Sequence, residues 1–184
     1  DYTYLGNWED RLNNSNIEEE LLTKYLSHRG YNNALITGAI YQLRSAANNY
    51  GQSLYNNNKE VYELLRYGAK VIENIGENTQ TVHFIDWDNT ENNDFAIAEE
   101  VTVQGNREKR PDIVIYVNGI ALGILELKRS IVSINEGIRQ CRTNQQKEFI
   151  EMFFTTVQFI FAGNDTEGLK YGAIGTPEKK FLKW

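Results

Sequence analysis

Pro111-Asp112-Ile113-Val114-Ile115-Tyr116-Val117-Asn118-Gly119-Ile120-Ala121-Leu122-Gly123-Ile124-Leu125-Glu126-Leu127-Lys128 is the stretch on which the fold turns. Two apolar, largely β-branched runs flank Asn118-Gly119. That dipeptide tolerates positive φ and is a strong short-range hairpin signal. Residues 112–117 and 120–128 therefore read as paired strands, apolar enough to be buried in a sheet. Inside this frame sit Asp112, Glu126 and Lys128. Charges there are costly unless paired or bound to a metal. Glu126 and Lys128 are two residues apart and share one face of a strand. Two carboxylates and an ammonium placed together can hold a hard divalent cation and orient a water, the parts that phosphodiester hydrolysis needs. The plainer alternative is a Glu–Lys salt bridge at a sheet edge.

Register decides between faces. A two-residue Asn118-Gly119 loop sets Asp112 opposite Leu125 and so on the face away from Glu126. A three-residue loop, residues 117–119 with Gly119 in the left-handed bulge position, sets Asp112 opposite Ile124. Asp112 then shares a face with Glu126, diagonal to it at about 7–8 Å. The three-residue loop is the expectation that lets the chemistry work.

Outward from the hairpin, the first half of the chain has helical periodicity. Residues 1–16 are polar and Asn-rich and read as an irregular arm. Ser15 or Asn16 can cap a helix containing Ile17, Leu21, Leu22, Tyr25 and Leu26, stopped by Gly30. A second helix is expected over residues 34–47 and a third over residues 59–67, with Asn56-Asn57-Asn58 as a loop or a helix start. Residues 79–87 and 95–104 read as strands around a polar turn, and residues 105–110 as a charged loop. Ser133 can cap a helix running to about residue 149. Strands are expected at 156–162 and 171–174. Helices first, then a hairpin-rich sheet, define an α/β domain with a mixed β-sheet flanked by helices and an N-terminal helical segment.

The 184 residues suit one domain, with 41% hydrophobic and 24% charged residues. No signal segment opens the chain and no uninterrupted apolar run suits a membrane span. A single cysteine, Cys141, excludes an internal disulfide framework or a Cys-rich zinc site and reads as a structural residue. His28 and His83 sit in no recognisable motif. The net charge of −6 argues mildly against a domain whose main task is holding DNA. The charge is uneven, however. Six acidic residues and no Lys or Arg fall within residues 86–100, while Arg107, Lys109, Arg110, Lys128, Arg129, Arg139, Arg142 and Lys147 flank the hairpin.

Pro-Asp followed by Glu-x-Lys on a hairpin resembles the PD-(D/E)xK nuclease superfamily. More specifically, RPDIVIYVNGIALGILELK (110–128) resembles the core of the N-terminal nuclease domain of the R (restriction) subunit of type I restriction-modification enzymes. LTKYLSHRGY (22–31), VHFIDWDNTENNDFAIAEEVTV (82–103) and GAIGTPEKKFLKW (172–184) support the likeness. The resemblance implies a DNA endonuclease with one or two Mg2+ per site. Asp112 and Glu126 would be the metal ligands, with the Leu127 carbonyl a candidate third. Lys128 would position or deprotonate the attacking water. An acidic residue from the first helix often joins such sites, and Glu20 is the candidate; a helix-start glutamate favoured by the dipole is the equal alternative. The family's Gln-x-x-x-Tyr motif is met by Gln140, but the fourth position after it is Asn144.

The resemblance further implies double-stranded DNA as substrate, specificity and methylation subunits as partners, a cytoplasmic location and no membrane contact. It places an ATP-driven motor in the parent subunit only, since residues 163–170 lack the Gly-Lys-Ser/Thr ending of a phosphate-binding loop. The expected organisation is an arm over 1–16, the endonuclease domain over 17–175, and the start of a linker over 176–184. A catalytically degenerate DNA-binding or scaffolding module of the same fold is the alternative.

Overall fold

The computed structural model describes residues 2–74, 76 and 78–184. Its main sheet has seven strands: β1 (Thr3–Asn7), β4 (Phe95–Glu99), β5 (Ile113–Val117), β6 (Ile120–Leu127), β7 (Phe159–Asn164), β8 (Gly168–Gly172) and β9 (Leu182–Lys183), hydrogen-bonded in that order. β1 is parallel to β4 and β6 is parallel to β7; every other neighbouring pair is antiparallel. The sheet is therefore mixed, as expected. β2 (Ala69–Val71) and β3 (Gln80–Val82) form a separate two-stranded ribbon.

Four α-helices are found among the described residues: α1 (Glu19–His28), α2 (Asn33–Ala47), α3 (Leu54–Tyr67) and α4 (Ile134–Asn144). Leu35, Ile36, Ala39, Ile40, Leu43, Ala46 and Ala47 recur at helical spacing and give α2 a buried stripe. Asn32 Oδ1 caps it by accepting from the Leu35 N–H at 3.0 Å. α1, α2 and α3 pack with the ribbon around Leu22, Leu26, Leu43, Val61 and Phe84, and that cluster reaches Ile17 and Ile120. A second cluster joins the sheet to α4: Val114, Tyr116, Ala121, Ile124, Ile138, Cys141, Phe154 and Ile160.

Several expectations are corrected. The N-terminal arm is not irregular, because Thr3–Asn7 adds an edge strand. Trp8 then packs on Tyr116 with ring centroids 5.6 Å apart, and Asn14 ties the arm to the carbonyls of Trp8 and Thr102. Composition hid this, since an edge strand's stability lies in backbone pairing and one anchor. Neither Ser15 nor Asn16 caps α1; Glu18 stands at that position, its carboxylate held instead by Arg11. Residues 83–87 are not strand: Phe84 and Ile85 supply burial without a ladder. Of the two readings of Asn56-Asn57-Asn58, a loop or a helix start, the second holds: they lie in the first turns of α3, which starts at Leu54 behind the Ser53 cap. Asn58 uses its polarity inward, donating to the carbonyls of Phe154, Thr155 and Val157. α4 stops at Asn144 rather than near 149. Residues 182–183, expected in a linker, pair with β8.

The β5–β6 turn is locked from several sides. Asn118 and Gly119 adopt φ of 54° and 84°. Asn118 is fully buried; it accepts from the Asp94 N–H at 2.7 Å and donates to the Phe84 carbonyl and Asn93 Oδ1, each at 2.8 Å. Gly119 touches the start of α1: an added Cβ would lie 2.7 Å from Leu22 N and 2.8 Å from the Glu18 carbonyl. Gly119→Ala therefore combines left-handed strain with a backbone clash, and should cost about 2–5 kcal/mol. Urea unfolding of the two chains measures this; a loss below about 0.5 kcal/mol, the range of neutral surface changes, would show the turn to be slack.

Candidate active site

The β5–β6 pairing starts Val117↔Ile120 and Tyr116↔Ala121, then continues Ile115↔Gly123, Val114↔Ile124 and Ile113↔Leu125. The loop is thus the two-residue one, correcting the expected three-residue loop. The extra residue lies within β6, at Leu122. Ala121 and Ile124 are three apart yet both belong to the α4-side core, which only a bulge permits. One further step of this register sets Asp112 across from Glu126, closer than the expected diagonal.

The structure brings Asp112, Glu126, Lys128 and Gln140 together. Asp112, partly buried, accepts the Leu127 N–H on Oδ2 at 2.6 Å. In an extended strand a residue's N–H and C=O face the same side, so the Leu127 carbonyl also faces Asp112. Glu126 is fully buried, and its Oε2 has no hydrogen-bond partner among the described residues. Lys128 Nζ stands 3.8 Å from that oxygen and donates to Gln140 Oε1 at 2.7 Å. Gly137, one turn before Gln140, lets α4 sit close to the sheet: an added Cβ would be 3.1 Å from Ala162 Cβ and 3.5 Å from Lys128 Cγ.

Burial raises the Glu126 carboxyl to about 8, helped by the charge of Asp112 and opposed by Lys128. A buried acceptor oxygen with no donor, beside a second carboxylate, is a donor set that fits a hard divalent cation. Among the described residues no three or more His, Cys, Asp or Glu side chains group to hold a metal. Mg2+ commonly takes one or two carboxylates and keeps several waters, so two carboxylates and a backbone carbonyl suffice.

Glu20 is not brought to this group. It is exposed on α1, whose start is anchored to the turn by the Glu18 N–H on the Gly119 carbonyl. That end of the hairpin is roughly 20 Å from Glu126, six residues along β6 at about 3.3 Å each. Glu19 pairs with Arg44. Sequence reasoning missed Glu100, whose N–H donates to the Asp112 carbonyl at 2.8 Å from a left-handed backbone of φ 49°. Its charge adds to the rise at Glu126. Its carboxylate receives Arg110 Nε at 2.8 Å, and Arg110 also pairs with Glu9. No motif announces Glu100; only the fold sets it beside Asp112. Cys141 is buried and its thiol is pushed up by burial, consistent with a structural residue.

A mixed sheet carrying Pro-Asp and Glu-x-Lys on adjacent strands, with a helix packed over them, is a restriction-endonuclease-like arrangement. The chain belongs to the family described as type I restriction enzyme R protein N terminus, whose model matches residues 1–179. A Methanocaldococcus jannaschii protein named for the type I restriction enzyme MjaIXP endonuclease subunit is 28% identical over 134 residues, 68% of this chain and 13% of its own length. The SauCOLORF180P endonuclease subunit of Staphylococcus aureus is 30% identical over 96 residues, 47% of this chain and 10% of its own. The HindI endonuclease subunit of Haemophilus influenzae is 25% identical over 134 residues, 69% of this chain and 12% of its own. The chain thus spans about an eighth or less of these relatives.

The buried carboxyl gives a pH signature to the metal-free chain. Glu126 keeps its proton in the folded state up to about pH 8, whereas unfolded glutamate loses it near 4.5. The folded state therefore binds more protons across that window, and this carboxyl's share of stability falls as pH rises through it. Glu126→Gln, neutral throughout, should lose less stability than wild type between pH 5 and 8, by on the order of 1 kcal/mol per pH unit. Parallel stability–pH curves in chelator would contradict the burial argument.

Proposed function

We propose that this chain is the metal-dependent DNA endonuclease domain of a type I restriction enzyme R subunit, hydrolysing phosphodiester bonds with Mg2+. The observation that carries the reading is the meeting of Asp112, Glu126 and Lys128 on one face, with a Glu126 oxygen left free in a buried position. Asp112, Glu126 and the Leu127 carbonyl would hold the cation. When bound, it supplies Lewis-acid polarisation of the phosphate and an activated water.

The protein's own groups set the rest. Asp112 is fixed by the Leu127 N–H, so its carboxylate keeps one orientation. Lys128 is fixed by Gln140 with its ammonium 3.8 Å from Glu126 Oε2. There it can orient the incoming water and balance charge that builds on the phosphate oxygens. Arg107 and Lys109 gather over the Phe149 ring, and Asn106 ties their loop to the Lys147 carbonyl. These cations suit the strand's phosphates, though the net charge of −6 makes for weak overall binding.

In this reading the parent subunit carries an ATP-driven motor after residues 176–184, which lead toward it. Specificity and methylation subunits select the site on double-stranded DNA, and the complex works in the cytoplasm. No helix among the described residues is long and apolar enough to cross a membrane.

Asp112→Ala, Glu126→Ala and Lys128→Ala should each lower cleavage by the parent enzyme by about a hundredfold or more while sparing ATP hydrolysis. The triple variant should be little worse, because the groups act as a unit. Near-normal cleavage by any one of them would remove that residue from the mechanism. The isolated 184-residue chain should cut DNA feebly and without sequence preference at physiological salt. Strong sequence-specific cutting by it would indicate a stand-alone enzyme. Failure of the wild-type chain to bind any divalent ion would favour a degenerate binding or scaffolding module.

A further inference from the structure

Asn144 follows Gln140 by one helical turn, so the two side chains stack on the same face of α4. Asn144 is 1% exposed. An amide in such a place is destabilising unless its polar atoms are used. Nδ2 stands 3.5 Å from Glu126 Oε1, with the amide donating toward it. Among the described residues, Asn144 Oδ1 and Glu126 Oε2 have no hydrogen-bond partner. Core packing alone does not call for an amide here, since Oδ1 is left without a partner while Nδ2 is aimed at the carboxylate.

We propose that Asn144 is a positioning residue for Glu126, resting on the reading of Asp112 and Glu126 as a divalent-cation site. Its amide N–H holds Oε1 and fixes the carboxylate plane. Oε2 is thereby left as the oxygen for the cation. Gln140 acts in the same direction one turn earlier: it draws Lys128 Nζ to 2.7 Å from its own oxygen, and the ammonium stays 3.8 Å from Oε2. α4 thus presents two amides in register, one restraining the lysine and one aiming the carboxylate. The resemblance to a Gln-x-x-x-Tyr motif is broken at this position, and the asparagine takes up a task that its own geometry defines.

Mn2+ binding to the 184-residue chain, followed by electron paramagnetic resonance of the free ion, tests this. Asn144→Leu and the smaller Asn144→Ala should both bind Mn2+ about 10–100-fold more weakly than wild type, the usual effect of losing a group that orients a ligand. Metal-free thermal unfolding shows whether each Asn144 variant is folded under the conditions of the binding measurement. Wild-type affinity in both folded Asn144 variants would overturn the proposal while leaving the metal site intact. If the wild type and Asp112→Ala bind Mn2+ equally poorly, the site reading itself fails, and this role with it.

Discussion

Between Ala121 and Gly123 the β6 strand absorbs one residue that its partner does not have, and the parity of every side chain beyond it is reversed. Strand side chains alternate with period two, so a one-residue slip moves a whole set to the other face. A flush hairpin from Asn118-Gly119 would send Asp112 away from Glu126. The bulge at Leu122 returns it. The surroundings fit the extra residue. Thr156 Oγ1 donates to the Ala121 carbonyl at 2.7 Å, and the Gln158 N–H to the Leu122 carbonyl at 2.9 Å. Gly123 faces Ile115, where a Cβ would lie 3.3 Å from that residue's own Cβ. Leu122 itself packs against the helical cluster on the other side. Bulges beside functional sites re-aim side chains, and this one decides whether two carboxylates meet.

Once they meet, electrostatics governs the pocket. Asp112, Glu126 and Glu100 bring negative charge to one spot, and Lys128 is the cation closest to the buried carboxyl. Arg110 is committed to Glu9 and Glu100. Such a group must either protonate or attract positive charge, since burial weakens the screening that would otherwise separate the charges. The rise at Glu126 expresses the first response; a divalent cation would supply the second and reverse the local logic. The left-handed backbone of Glu100 belongs to the same arrangement. A non-glycine residue there is strained, and it persists because its N–H anchors the Asp112 carbonyl and so fixes the strand start that bears the carboxylate.

The hairpin and the gathering of Asp112, Glu126, Lys128 and Gln140 were legible in the sequence because each rests on local chemistry: positive-φ residues at the turn, apolar runs beside it, charges two apart on a strand, an amide at helical spacing. The mixed sheet followed from the order of the periodicities. Other features escaped for nonlocal reasons. The bulge leaves no local mark, since Leu122 looks like any apolar strand residue; its support comes from residues 156 and 158. The β1 strand pairs with a segment some ninety residues on, which composition cannot reveal. The Asn-rich stretch at 56–58 reads as a loop or a helix start by propensity; what propensity does not reveal is that Asn58 turns inward to the carbonyls of Phe154, Thr155 and Val157. Glu20 drew attention by its charge at a helix start, and α1 packs at the wrong end of the hairpin for it to serve.

That last fact points to a division of labour along one pair of strands. At the turn, Asn118 spends every side-chain donor and acceptor on partners, Gly119 seats α1, and Tyr116 is pinned by its hydroxyl to the Ser15 carbonyl. Polar satisfaction and close packing coincide there, which is what makes a unique fold. At the far end, Glu126 and Asn144 leave oxygens unmet, Glu100 is strained, and Asp112 stands beside a like charge. Each costs stability, and they cluster where chemistry is expected and nowhere along the intervening strand. The apolar span between, Val114 and Tyr116 against Ala121 and Ile124, joins the two ends rigidly. A locked turn can thus offset a strained site, because strain at one end of a well-packed ladder has no soft element nearby through which to relax.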